Sequence, residues 1–158
     1  LGATACKRFI VEDMPVFMHV HTYNNHPIST LMGFKNIEII EREGLVQNSA
    51  EVGAYLLEGL RSLYAHPSVG DVRGLGLMIG VEFVKNQARK TRAHDLRDKI
   101  VDLAFERGLL TLGCGPNTIR ISPPLNVTKA EIDEGLEIFE EAITVAENQV
   151  VLQPVAAD

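Results

Sequence analysis

The stretch from Val20 to Tyr64 constrains the fold more than any other part of the chain, because its helical pattern is apolar on nearly every side. It opens with the polar loop His21-Thr22-Tyr23-Asn24-Asn25-His26-Pro27. Pro27 suits the first turn of a helix, where its missing N–H has no partner to lose and its φ is already helical. Ile28, Leu31, Met32, Phe34, Ile37, Ile39 and Ile40 then surround the axis, the pattern of a helix buried on more than one side. Gly44 stands where a left-handed cap is wanted, and a second helix follows almost at once, with an expected stripe of Val46, Gly53, Leu57, Leu60 and Tyr64. Such a tandem reads as a spine between two bodies, and His66-Pro67 ends it.

Around this spine the pattern changes. Leu1 to Ala5 reads as a strand already in progress, buried on both faces, and is expected to be a piece of something longer. Lys7 to Met14 has a short helical look, and Val16 to Val20 an extended one. After residue 66 a period of two begins, with Leu75, Leu77, Ile79, Val81 and Phe83 alternating with Gly76, Met78, Gly80, Glu82 and Val84. A helix is expected from Arg92 to Arg107 on the stripe Leu96, Ile100 and Leu103, with Gly108 as its cap. Short strands are expected at Leu109–Leu112 and Thr118–Ser122, the second placing Ile119 and Ile121 on one face and Arg120 on the other. Thr128-Lys129-Ala130-Glu131 is a capping box, and the helix after it buries Ile132, Leu136, Phe139, Ile143 and Ala146. Strand, helix, two strands and helix make a small α/β layer with helices on one face of a sheet.

The chemistry the chain can carry is bounded by its charge and cysteines. A net charge of −6 with no basic run argues against nucleic acid. Cys6 and Cys114 fit neither a disulfide framework nor a zinc site, which points to a reducing, cytoplasmic setting. No apolar run approaches the roughly 20 residues of a membrane helix, so no membrane partner is expected. His19, His21 and His26 lie close together without a neighbouring carboxylate or thiolate, and no metal is assigned to them. Neither Gly74-x-Gly76 nor Gly113-x-Gly115 opens a helix after a strand, so neither is read as a phosphate cradle. Thr22 lies better for an anion, on a polar loop before a helix, although a capping role accounts for it as well. Arg120 either makes an ion pair, lies on an exposed sheet face, or waits for an anionic ligand.

Four phrases together carry a resemblance. They are His21-Thr22-Tyr23 through His26-Pro27, Ile37 through Val46 (IEIIEREGLV), Val72 through Glu82 (VRGLGLMIGVE) and Thr118 through Leu125 (TIRISPPL). In this order they resemble the class III aminotransferases, pyridoxal-phosphate enzymes of the aspartate aminotransferase fold (fold type I), with the ω-amino acid:pyruvate type nearest. The resemblance implies an α/β chain made chiefly of the C-terminal small domain, with one large-domain strand and the interdomain helices. It divides the chain into 1–26, remnant of the cofactor-binding large domain and its loop; 27–65, interdomain helices; 66–148, small domain; and 149–158, a loose tail.

It further implies pyridoxal 5'-phosphate as cofactor, with Thr22 reaching the cofactor phosphate of the partner subunit in a homodimer or higher homo-oligomer. Arg120 would receive the substrate carboxylate. The Schiff-base lysine is expected upstream of Leu1, leaving no catalytic residue in this chain. The expected activity of the parent protein is transfer of an amino group between an amine or ω-amino acid and a keto acid. A decarboxylase or aminomutase of the same fold, or a non-catalytic ligand-binding or oligomerisation module, is the alternative.

Overall fold

A computed structural model of the chain describes residues 2, 4–12 and 22–150. Two compact units divide at the Gly44 cap, residues 1–44 and 45–158, and each is described by itself. In the first unit, α1 (Arg8–Glu12) is a short turn of helix and α2 (Pro27–Arg42) is the long one. Pro27 takes the first position of α2, and the Nδ1 of His26 accepts from the Ser29 N–H at 3.3 Å, satisfying one orphan donor. None of the residues of α2 is buried: Ile28, Leu31, Met32, Phe34 and Ile37 all stand exposed, although their pattern is that of a buried helix. The expected strand at Leu1–Ala5 lies partly outside the described residues, and Gly2 and Thr4–Lys7 show no strand pairing. The extended segment expected at Val16–Val20 lies outside them altogether.

The second unit is an antiparallel sheet under three helices. Its strands are β1 (Val69–Leu75), β2 (Met78–Asn86), β3 (Thr91–Arg92), β4 (Leu112–Cys114) and β5 (Thr118–Ile121), in the order β1-β2-β5-β4 with β3 pairing β2. The helices are α3 (Leu45–Ser62), continued by a 3₁₀ turn at Leu63–Ala65, α4 (His94–Glu106) and α5 (Lys129–Gln149). Alternation decides the two faces of the sheet. Val72, Ile79, Val81, Phe83 and Ile119 are buried beneath the helices, where Leu56, Leu60, Leu96, Ile100, Ile132, Phe139 and Ile143 meet them. Phe83 and Phe139 contact edge to face, 6.4 Å between centroids, each side chain adding roughly 1.5 to 3 kcal/mol of burial. The capping box forms as the sequence predicts, with Thr128 and Glu131 bonding each other's backbone N–H groups.

Three readings change. The apolar run beginning at Leu75 is not one strand but a hairpin: β1 ends at Leu75, Gly76-Leu77 turns with Gly76 at φ 55°, and β2 leaves in register with Leu75 opposite Met78. Leu75 is therefore 91% exposed on the outer face while Leu77 is buried in the turn. The α3 stripe runs through Val52, Gly53, Leu56, Leu60 and Leu63, and Val46 and Tyr64 lie outside it. Apolar residues on both flanks of α3 leave its phase open in the sequence; the close approach of Gly53 to the Gly76 backbone sets it. The strand expected at Leu109–Leu112 begins at its last residue instead, because Leu112 is where pairing with Arg120 starts.

Candidate functional site

Arg120 sits in the middle of β5, opposite Gly80 of β2 on one side and Leu112 of β4 on the other. Its neighbours Ile119 and Ile121 turn into the core, so the guanidinium is carried on the open face of the sheet. It is exposed and makes no hydrogen bond or ion pair among the described residues. Gly80 leaves the space next to it bare; a Cβ there would meet only the Thr118 methyl at 3.2 Å and the Arg73 carbonyl at 3.9 Å. A cavity of about 290 Å³ on the helix side of the sheet, walled by Leu56, Leu60, Pro123, Ile132, Leu136 and Phe139, has Arg120 in its lining.

The next cation along the row is already neutralised. Arg73, opposite Gly80, donates to Asp71 Oδ2 at 2.6 Å and to Glu82 Oε2 at 3.2 Å. The Arg73 guanidinium therefore holds the Asp71 carboxyl below the usual carboxylate range, helped by a hydrogen bond from the Tyr64 hydroxyl. Arg120 thus differs from Arg73 in what it leaves open: two parallel N–H donors for an anion.

Thr22 lies in the turn Thr22–Asn25, which closes with His26 N–H donating to the Tyr23 carbonyl at 3.3 Å. Asn25 takes a left-handed φ of 55°, and α2 starts two residues later. The Thr22 hydroxyl is exposed and makes no hydrogen bond among the described residues, so it is free for an acceptor outside the chain. Thr22 belongs to the first unit and Arg120 to the second. Of the three clustered histidines, His26 serves as the α2 cap, and His19 and His21 lie outside the described residues. Among the described residues no group of three or more His, Cys, Asp and Glu is placed to hold a metal, and no helix is long and apolar enough to cross a membrane.

Sequence reasoning missed Arg97. It lies on α4, is only 6% exposed, and its guanidinium packs on Gly113 of β4. No periodicity separates it from the solvated residues of an amphipathic helix; the signal was the pair of glycines at 113 and 115, which leave room for something to approach the strand.

This arrangement, an antiparallel sheet with helices on one face, is that of a portion of a transaminase. It superposes on an ω-transaminase from Pseudomonas jessenii in complex with PMP with a TM-score of 0.80 and 32% identity, covering 84% of this chain and 30% of that one. Residues 1–143 match the class-III aminotransferases, and the chain belongs to that family. It is 35% identical over 144 residues to the leucine/methionine racemase of Thermococcus litoralis, covering 90% of this chain and 32% of the relative. It is also 37% identical over 121 residues to the 4-aminobutyrate aminotransferase of Escherichia coli, covering 75% of this chain and 28% of the relative. The chain spans about a third of the length of the curated relatives it matches. Pyridoxal phosphate is the cofactor the family implies, and the free Thr22 hydroxyl beside a helix start is chemically suited to its phosphate.

Proposed function

We propose that the protein carrying this chain transfers an amino group between an amine or ω-amino acid and a keto acid, using pyridoxal phosphate. The cofactor supplies the electron sink for the carbon that gains or loses the amino group. This chain supplies two grips. Arg120 binds and orients the substrate carboxylate, and Thr22 donates its hydroxyl to the cofactor phosphate of a partner subunit in a homodimer or larger homo-oligomer. The lysine that anchors the cofactor belongs to the part of the protein before Leu1. In this reading residues 1–26 complete the cofactor domain, 27–65 connect it, and 66–148 form the small domain. The exposed free thiols of Cys6 and Cys114 suit the cytoplasm.

The observation that carries this reading is the unpaired, exposed Arg120 on a strand whose other face is fixed in the core. Lysine cannot reproduce its two parallel donors. Arg120→Lys in the whole protein should weaken carboxylate-bearing donors by roughly 1.5 to 3 kcal/mol, the worth of a hydrogen bond to a charged group. Amines without a carboxylate should change far less. An equal loss of kcat/KM for both kinds of substrate makes Arg120 structural and the assignment wrong.

Likeness to the leucine/methionine racemase favours a second reading, inversion at the α-carbon of an apolar amino acid. Incubating the whole protein with one enantiomer and no keto acid separates the two. Appearance of the other enantiomer supports the racemase, and reaction only when a keto acid is added supports amino transfer.

A further inference from the structure

Arg97 is a buried cation in an unusual place. Its Nη1 donates to the Gly115 carbonyl at 3.3 Å, across the turn between β4 and β5. Its Nη2 lies 3.2 Å from His94 Nε2, and His94 Nδ1 lies 3.2 Å from Asp98 Oδ2. The arginine can only donate, so Nε2 is the acceptor and the neutral ring carries its proton on Nδ1. Arg97 Nε is 2.7 Å from Asp98 Oδ1 but off the line of its N–H, so that pair is an ionic contact and the N–H is left without a hydrogen bond.

Burying a charge with one donor unmet is a poor device for stability, since an apolar side chain of similar volume commonly does as well or better. What the guanidinium adds is direction. It lies against Gly113, where any Cβ would run into Nη1 and approach Cζ to 2.9 Å. Gly113 is paired with Ile119, and the flanking residue Leu112 is paired with Arg120. The far side of the same turn is fixed to β2, where Asn117 Nδ2 donates to the Phe83 carbonyl at 2.7 Å and Phe83 N–H donates back to the Asn117 carbonyl at 2.8 Å. The hairpin that carries Arg120 is therefore held at one side by the sheet and at the other by Arg97.

We infer that Arg97 is a positioning residue for carboxylate recognition: through Gly113 and Gly115 it sets the height and tilt of β4 and β5, and so the aim of the Arg120 guanidinium. This inference rests on the reading of Arg120 given above. A strand shifted by a fraction of an ångström leaves the site present but misaimed, which costs substrate binding before it costs folding.

The test uses the whole protein loaded with its cofactor. Arg97→Met should keep its melting temperature within a few degrees, raise KM for carboxylate-bearing donors about five- to tenfold, and leave kcat and carboxylate-free amines nearly unchanged. The dissociation constant of butyrate, an unreactive carboxylate read by calorimetry, should rise by the same factor. Arg97→Lys, which keeps a cation able to reach the Gly115 carbonyl, should recover part of the loss. Gly113→Ala, which displaces the guanidinium, should reproduce it, and these two variants decide the matter if Arg97→Met does not fold. In an Arg120→Lys background Arg97→Met should add nothing to the carboxylate effect, because the group being aimed is gone. Equal losses for both substrate types, unchanged butyrate binding, or additive effects in the double variant overturn the inference. If Arg120→Lys itself fails to discriminate carboxylates, the underlying reading of Arg120 fails instead.

Discussion

At the scale of single residues, two positions show how far a small change reaches. Gly53 of α3 sits against the backbone of Gly76 in the β1–β2 turn, and a Cβ there would lie 2.6 Å from the Gly76 Cα and collide with its carbonyl group. Backbone cannot yield as a flexible side chain does, so Gly53→Ala should destabilise the second unit by about 1 to 3 kcal/mol, the range for overpacking a core. Thermal unfolding followed by circular dichroism measures it, and an unchanged midpoint shows that the helix lifts freely. Gly59 provides the contrast, since the atoms nearest its added Cβ belong to the flexible Leu136 side chain. Asp71 makes the second case. Its folded-state pKa is lowered by the Arg73 hydrogen bond, so the stability it contributes is present above the ordinary carboxylate value and is lost as pH falls through the lowered one. Asp71→Asn should therefore lower stability modestly at neutral pH and flatten the acid side of the curve, the two chains converging below the lowered pKa. An acid limb identical to that of the parent chain removes Asp71 from the account.

Among the elements, α2 is the one whose pattern and surroundings disagree. Ile28, Leu31, Met32, Phe34 and Ile37 give it apolar side chains around most of its circumference, yet all are exposed. Soluble monomers seldom show so contiguous an apolar surface. The chain by itself should self-associate at micromolar concentration, with light scattering growing as it is concentrated; a clean monomer across that range counts against the argument.

The other elements show what a sequence discloses. α4, α5 and β5 were legible because one face of each is apolar and the other polar, and because Thr128, Glu131 and Gly108 mark their ends. β1 was not, since Gly70, Asp71, Arg73 and Gly74 interrupt its apolar residues, and β3 has only two residues. The site divides likewise. The face that carries Arg120 could be read from Ile119 and Ile121, but the role expected of it comes only from the resemblance, whereas Arg97 becomes distinct only once Gly113 lies beneath it.

For the molecule as a whole, the question is which parts of amino-transfer chemistry this chain holds. On the reading proposed above Arg120 would serve as a carboxylate site and Thr22 as a phosphate contact, but covalent capture of an aldehyde needs a lysine whose amine is uncharged at working pH. An ordinary lysine titrates near 10.4, leaving on the order of one amine in a thousand neutral, and enzymes correct this by burying the lysine in an apolar pocket or beside another cation. The sequence has six lysines. Lys35 is exposed and ion-paired with Glu38 at 2.6 Å, Lys90 donates to the Gly70 carbonyl at 2.6 Å, and Lys129 lies 5.1 Å from the centre of the Tyr55 ring. None of the six lines the cavity beside Arg120. Incubating this chain with pyridoxal phosphate, reducing with borohydride and mapping the peptides should thus give low labelling scattered over several lysines, with no preferred site. Stoichiometric labelling of a single lysine means that the chain builds its own cofactor anchor.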